Sequence, residues 1–326
     1  MAKFTAFQAF NMLTLDLSSL ITDGTSQSFL DNANITLNGV NYQDLAGFEY
    51  YDNGYFAAVF GGTGFVVSKA GTPTAGTVTG IAEFVGPLSA VFSPNPNLPP
   101  QGAFLLQGVS LPVTSLVAAA LTLPTSDDLA LFQTALSGAD TITLSGGADV
   151  FKGFDGDDVL NGNAGADKLY GGNGADKLFG GAGNDTLFGD AGADKLYGGA
   201  GKDILTGGDG ADAFVFNTSA VATSADVIKD FSHAQGDHID LAAGIFRGIG
   251  QAAGTTLSSD AFFASSAFNG NVAAHDATDR ILYDQVTGKL YYDADGNGAA
   301  SAPVLLATLG TTTHPTLVAA DIHIIA

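Results

Sequence analysis

Cysteine is absent from all 326 residues, which removes disulfides, thiolate catalysis and Cys-ligated zinc in one step. For a chain that leaves the cell, metal ions are then the available staple. Basic residues are scarce: 11 Lys plus Arg stand against 33 Asp plus Glu, a net charge of -22. Such an excess argues against nucleic acid, anionic lipid surfaces and anionic polysaccharides as partners unless bound cations offset it. Glutamate is confined to Glu49 and Glu83, so the acidity is aspartate, the side chain of turns and oxygen-ligand loops rather than of helix surfaces. Long apolar runs are missing too. The most apolar segment, Val109 to Leu123, is short and holds Pro112, so no stretch predicts a transmembrane segment. The opening MAKFTAFQAFNMLTLDLSSL has one lysine and an apolar run broken by Gln8, Asn11 and Asp16, a poor match to a signal peptide. The five histidines (233, 238, 275, 314 and 323) all fall in the last third, and neither HExxH nor GxSxG occurs, which excludes the protease and lipase chemistries those motifs carry.

What is present is a period. Aspartates stand at 140, 149, 158, 167, 176, 185, 194, 203 and 212, nine positions spaced nine residues apart. A glycine lies two residues before each, from Gly138 to Gly210. A large apolar side chain lies two residues after: Ile142, Phe151, Leu160, Leu169, Leu178, Leu187, Leu196, Leu205 and Phe214. A flexible linker needs composition but no phase, so three registers held together argue for a solenoid whose copies bury their apolar residue by stacking. That residue points inward and its neighbours outward, because side chains alternate along an extended segment. The six residues between, Gly-Gly-x-Gly-x-Asp in the most regular copies (Gly171 to Asp176, Gly180 to Asp185, Gly198 to Asp203), predict a turn with uncovered carbonyl oxygens.

With two nonapeptides per coil, aspartates eighteen residues apart share an edge: 140, 158, 176, 194 and 212 on one, 149, 167, 185 and 203 on the other. Carboxylates one rung apart, roughly 5 Å by the strand spacing, repel unless something positive lies between them. Carbonyls and carboxylates are both oxygen. Hard oxygen ligands on a glycine-rich loop are what calcium takes, whereas magnesium dehydrates reluctantly and zinc would draw on His or Cys.

The stretch GGNGADKLFGGAGNDTLFGDAGADKLYGGAGKDIL resembles the RTX nonapeptide of secreted bacterial proteins, and the resemblance implies a calcium-loaded parallel β-roll. It implies ions held between two turns on one edge. One such site would take carbonyls of Gly172 and Gly174 with Asp176, and carbonyls of Gly189 and Ala191 with Asp194. Another would take Gly181, Gly183 and Asp185 with Gly198, Ala200 and Asp203. The candidate metal positions extend over the remaining copies: Asp149, Asp158, Asp167, Asp212, Asp209 and Asn173, with Gly147, Gly156, Gly162, Gly165, Gly171, Gly180, Ala182, Gly192 and Gly207. That set would hold roughly five to seven calcium ions. The first copies depart from the pattern, with Ala135 and Leu136, then Leu144 and Ser145, in place of the leading glycine pair.

Residues 1–134 differ in texture. Ile35 to Leu37, Gly54 to Phe60, Gly64 to Val67 and Thr77 to Phe84 are short, β-branched and aromatic, punctuated by glycine pairs, which predicts an antiparallel β domain. Ser115 to Leu121 and Asp127 to Leu136 predict one or two short helices, and Ser93 to Gly102 a loop. Glu49 and Asp52 flank the aromatic string Tyr50, Tyr51, Tyr55 and Phe56; a strand with turn acids is the preferred reading over a catalytic carboxylate pair. The order of sheet, LVAAALTLP and helix is similar to secreted haem carriers, although the region holds no histidine.

Outward positions of the repeats hold Tyr170, Phe179, Phe188 and Tyr197, with Lys168, Lys177 and Lys195 before the buried leucines. Tyr170 should stack on Phe188 and Phe179 on Tyr197. Cross-strand pairing, with lysines easing the negative field, is preferred to an aromatic platform for a sugar or partner. Beyond Ala211, ADAFVFNTSAVATSADVIKDFSHAQGDHIDLAA and DATDRILYDQVTGKLYYDADGNGAASAPVLLATL resemble the carboxy-terminal cap of serralysin-type metalloproteases, here without the protease motif. Arg280 to Asp284 and Lys289 to Asp293 predict a hairpin around Thr287-Gly288. Asp293, Asp295, Asn297 and Gly298 open like an EF-hand loop, but Val304 stands where its glutamate belongs, so a tight turn is expected. Asp230, Asp237 and Asp240 can supply one further ion site, and the histidines read as scattered surface or packing residues.

The expected fold is all-β: an N-terminal β domain over 1–134, an RTX β-roll over 135–215, and a β-rich cap with a secretion-signal region over 216–326. The RTX resemblance implies export by a one-step (type I) secretion apparatus that reads an uncleaved carboxy-terminal signal, and the apolar end IHIIA suits such a signal. The expected function is a secreted, extracellular calcium-binding protein folded by calcium after export. A non-enzymatic surface, adhesion or self-assembling layer module fits the 13% charged content and positive mean hydropathy, with itself or a cell-surface polysaccharide as partner. The alternative is an extracellular carbohydrate-active enzyme, or a haem-carrier-like binding protein, using the N-terminal domain.

Overall fold

The computed structural model describes strand backbones at 3–6, 24–30, 35–37, 40–42, 44–51, 55–67, 73–85 and 102–112, and then residues 133–134, 136–219, 224–268, 273–297 and 301–326. The chain divides into two compact units, Met1–Gly156 and Asp157–Ala326.

The first unit contains β1 (Lys3–Ala6), β2 (Gly24–Leu30), β3 (Ile35–Leu37), β4 (Val40–Tyr42), β5 (Asp44–Tyr51), β6 (Tyr55–Val67), β7 (Pro73–Val85) and β8 (Gly102–Pro112). Strands β2, β5, β6, β7, β8 and β1 lie side by side in antiparallel pairs, and β3 with β4 forms a separate hairpin. The expected antiparallel sheet is therefore present. Two short strands expected around Gly61-Gly62 are instead one: β6 runs through the pair with a register shift between Gly61 and Gly62. Glycine here bulges a strand without ending it. Strand β1 also pairs in parallel with β9 (Thr141–Thr143), and β10 (Val150–Asp155) completes the unit. Of the expected helices, 115–121 lies outside the described residues, and of the described residues in 127–136, 133 and 134 are helical and Leu136 lies in a turn. Asp52 and all of the 93–102 loop except Gly102 are likewise outside them.

In the second unit successive repeats alternate between two parallel ladders. One comprises β11 (Val159–Asn161), β13 (Lys177–Ala182), β15 (Lys195–Ala200) and β17 (Ala213–Phe216); the other, β12 (Lys168–Asn173), β14 (Thr186–Ala191) and β16 (Ile204–Asp209). Leu178 pairs with Leu196, and Leu169 with Leu187, which pairs in turn with Leu205. These leucines are 0–1% exposed, so each copy places one side chain worth about 1.5–3 kcal/mol of burial between the ladders. No single copy can do this alone.

The turn is shorter than the sequence predicts. Each regular strand continues through the first three of the six turn residues, as in Lys177–Ala182, because Gly181↔Gly199 and Ala182↔Ala200 resume the ladder after one skipped glycine. Aromatic stacking follows expectation: Tyr170 and Phe188 lie 4.8 Å apart at 8°, Phe179 and Tyr197 4.4 Å apart at 18°. Lys168 Nζ sits 5.2 Å from the Tyr170 ring and 5.6 Å from Phe188.

Both ladders outlast the nonapeptides. Strand β18 (Asp226–Ile228) pairs with β16 and β24 (Val304–Leu309) with β18; β19 (His238–Ala242) pairs with β17 and β25 (Ile322–Ile325) with β19, all parallel. Ile228, Leu309, Ile239 and Ile322 prolong the buried rows at 0% exposure. Antiparallel pairs then follow on both ladders: β20 (Thr255–Thr256) on β25, and the hairpin β22 (Ile281–Asp284) to β23 (Lys289–Tyr292) on β24, with β21 (Phe262–Ser265) parallel to β22 at the edge. The expected hairpin is there, with Gly288 at φ 67° in its turn.

Candidate metal centre

The strands deliver the aspartates to two edges as stacked columns. On one, the backbone N–H of Asp158 donates to Asp176 Oδ1 at 2.7 Å, Asp176 to Asp194 Oδ1 at 2.8 Å, and Asp194 to Asp212 Oδ1 at 3.0 Å. On the other, Asp167 donates to Asp185 Oδ1 and Asp185 to Asp203 Oδ1, both at 2.8 Å. All are at most 2% exposed. Oδ2 of Asp176, Asp185, Asp194, Asp203 and Asp212 is buried with no hydrogen-bond partner. A buried charge left this way is costly unless a cation meets it.

Numbering each turn from its first glycine to its aspartate as positions one to six, these oxygens converge with carbonyls. A Cβ built on Gly171 would lie 2.3 Å from Asp176 Oδ2 and 2.6 Å from Gly189 O. On Gly180 it would meet Asp185 Oδ2 at 2.4 Å and Gly198 O at 2.6 Å, on Gly189 Asp194 Oδ2 at 2.3 Å and Gly207 O at 2.5 Å, and on Gly162 Asp167 Oδ2 at 2.4 Å and Gly180 O at 2.6 Å. Any side chain at position one would fill this oxygen-lined space. Position four is closed for a different reason: φ is positive at Gly156, Gly165, Gly174, Gly183 and Gly192, and a Cβ on Gly183 would fall 1.5 Å from Gly165 O. Position two is also left-handed, in Gly172 and Gly181 but equally in Phe154, Asn163 and Asp190. Position-three carbonyls of Ala182, Ala191, Ala200 and Asp209 accept the position-four N–H of Gly165, Gly174, Gly183 and Gly192 at 2.8 Å. That leaves each its second lone pair. Asn173 pairs with Ala191 in the ladder.

Burial is the largest influence on these acids. It pushes Asp176 and Asp203 up from 3.8 to about 6, and Asp194 and Asp212 to about 7; the accepted N–H pulls each down, and neighbouring carboxylates push up again. Asp185 is raised by the same burial.

In the first unit Asp149 Oδ2 accepts the N–H and hydroxyl of Ser145 at 2.9 and 2.8 Å, and Gly147 N–H donates to Ser145 Oγ, so the serine in place of a leading glycine engages this carboxylate locally. In the second unit the columns continue past the repeats: Asp226 accepts the Asp203 N–H and Asp237 the Asp212 N–H, both at 3.0 Å. Asp226 extends its column although it lies 23 rather than 18 residues on, and burial raises it to about 8. The period of nine does not reach Asp226; the Asp-x-Ile spacing to buried Ile228 is its trace in the sequence. Of the expected further site, Asp230 and Asp237 are near enough that the Asp230 charge pushes Asp237 up, and both push Asp212 up. Asp230 accepts N–H from Gly207 and Gly208, Asp237 binds Ser232 N–H with its second oxygen, and Asp240 stands on β19 near two histidines. Asp293 and Asp295 serve a local turn, Asp295 accepting both donors of Ser301.

Residues 134–153, 152–187 and 179–214 match the family described as RTX calcium-binding nonapeptide repeat (4 copies). Over residues 134–214 the chain is similar to RTX calcium-binding nonapeptide repeats. Among solved structures, the AlgE6R3 subunit from the Azotobacter vinelandii mannuronan C5-epimerase, determined in solution, is 29% identical over 48% of this chain and 76% of that chain, with a TM-score of 0.30. No curated protein matches the chain. The RTX turns fit calcium on their own chemistry: the atoms gathered at position one are carboxylate and carbonyl oxygens, with no nitrogen or sulfur among them. No helix among the described residues is long and apolar enough to cross a membrane.

Proposed function

We propose that this is a secreted protein folded by calcium outside the cell, with a non-enzymatic role as a surface, adhesion or self-assembling layer module. One observation carries the calcium reading: five stacked aspartates each keep one buried oxygen without a hydrogen bond, at a glycine that leaves room for an ion. In this reading Gly172, Gly174 and Asp176 with Gly189, Ala191 and Asp194 hold one ion, Gly181, Gly183 and Asp185 with Gly198, Ala200 and Asp203 another, and roughly five to seven are held in all. The convergence of Asp176 Oδ2 with Gly189 O, and of Asp185 Oδ2 with Gly198 O, supports those sets. Bound calcium supplies the positive charge between carboxylates that otherwise repel. The chain's own residues do the rest: Oδ1 fixes the rung register, position-one glycine clears the space, and the leucine rows bury the core.

The three-part division assigns 1–134 to binding or self-assembly, 135–215 to the roll, and 216–326 to a serralysin-like cap carrying a type I export signal. In a calcium-poor cytoplasm the repeats stay open and exportable; in millimolar calcium they close. Circular dichroism of the full chain in EDTA and in millimolar calcium tests the folding step, and identical spectra would remove it. Calcium-dependent sedimentation or cell binding without turnover supports the surface role. Polysaccharide hydrolysis abolished by Glu49→Gln would replace it with an enzyme.

A further inference from the structure

The histidines are scattered singly in the sequence, yet the parallel register of β19 with β25 sets Asp240 beside His323. His238, two residues before Asp240 on the same strand, shares its face. His238 Nε2 and His323 Nδ1 each lie 3.6 Å from the same atom, Asp240 Oδ1, and the three ligand atoms fall within 4.8 Å of one another. Asp240 is 4% exposed, and this Oδ1 is buried with no hydrogen-bond partner. A separation of 3.6 Å is too long for the hydrogen bond that either imidazole would make to a carboxylate. It is close to the distance between neighbouring ligands on a tetrahedral ion, about 3.3 Å for metal bonds of about 2.0–2.1 Å. The far nitrogen of His238, Nδ1, lies 3.4 Å from Gly236 O, as expected of an imidazole that donates there and keeps Nε2 free.

The geometry points to a second, chemically different metal site, in which His238 Nε2, Asp240 Oδ1 and His323 Nδ1 bind one zinc-like divalent ion and tie the last strand to β19. Two imidazoles and one carboxylate suit zinc, cobalt, nickel or copper, and are a poor set for calcium, which takes six to eight oxygens. The half-exposed rings, 23% and 40% accessible at His238 and His323, leave a fourth position open to water. A gathering of the same residue types, His275, Asp276 and Asp279, makes a natural control. Its carboxylates are already engaged: Asp279 Oδ2 accepts N–H from His275 and Asp276, and Asp276 Oδ1 the Thr278 hydroxyl.

The test titrates zinc chloride calorimetrically into the full chain held in millimolar calcium, and cobalt(II) by visible absorption. One zinc per chain and the intense visible bands of tetrahedral cobalt are expected. His238→Gln and His323→Gln should each weaken zinc at least about tenfold, and Asp240→Asn likewise, while His275→Ala changes nothing. Calcium-induced circular dichroism of each variant reports whether it still folds. The cobalt spectrum of the unaltered chain decides the matter if a variant does not. Absence of zinc binding, octahedral cobalt bands, or zinc bound equally by a folded His238→Gln/His323→Gln chain would overturn the assignment.

Discussion

The backbone N–H of Asp176 donates to Oδ1 of Asp194 at 2.8 Å, while Oδ2 of that same Asp194 is buried without a hydrogen bond. One oxygen sets the rung register and the other faces the space beside Gly189. Asp194→Asn keeps the acceptor and removes the charge. In EDTA this variant should be at least as stable as the parent, since a buried, mutually repelling carboxylate is gone. In tenfold excess calcium it should lose about 1.4 kcal/mol for each site forfeited. Asp194→Ala also strands the Asp176 N–H and should cost about 1–3 kcal/mol more. Urea melts across a calcium series, with the folded fraction in EDTA read by circular dichroism, check both, and equal calcium stabilisation of parent and Asp194→Asn would contradict the ligand role.

Acidity should act in opposite directions on the two forms. Asp176 and Asp203 are raised to about 6, Asp194 and Asp212 to about 7, so the calcium-free folded chain holds protons that an unfolded chain releases near 3.8. Its stability is therefore fullest below about pH 4 and declines as pH rises towards 7. Calcium must displace those protons, so its affinity should fall, with proton release on binding, as pH drops from 7 to 5. The folded fraction in EDTA, read by circular dichroism across this range, and calcium titrations in weakly buffered solution measure the two trends. Calcium-free protein more stable at pH 8 than at pH 5 would refute the first.

Asp190 occupies position two at φ 72° and its charge raises both Asp176 and Asp194. Asp190→Gly should stabilise the roll by up to about 1 kcal/mol by relieving the left-handed backbone, with the larger gain in EDTA. Gly183→Ala is its counterpart. With Gly165 O 1.5 Å from the new Cβ, it should cost about 3 kcal/mol or more, visible as a lower midpoint in calcium melts.

Asp226 closes the second aspartate column by accepting the Asp203 N–H. Asp226→Ala should destabilise the protein by about 1–3 kcal/mol and speed hydrogen exchange at the Asp203 amide, whereas Asp226→Asn should retain that protection. Unchanged exchange in Asp226→Ala would show that the column ends at Asp203.

The period of nine was enough to place Leu178 against Leu196, Tyr170 against Phe188 and Asp176 beneath Asp194, because a stacked repeat turns sequence spacing directly into spatial neighbourhood. The oxygen-only character of the turns was legible for the same reason. It did not reveal how far each strand runs into its turn, since that depends on ladder bonds such as Gly183 N–H to Ala200 O between rungs. Nor did it place Asp226 in line with Asp203, or gather His238, Asp240 and His323. Those groupings cross irregular connections, where packing of Ile228 and Ile322 onto the buried rows, rather than any repeat length, decides which strand lies beside which.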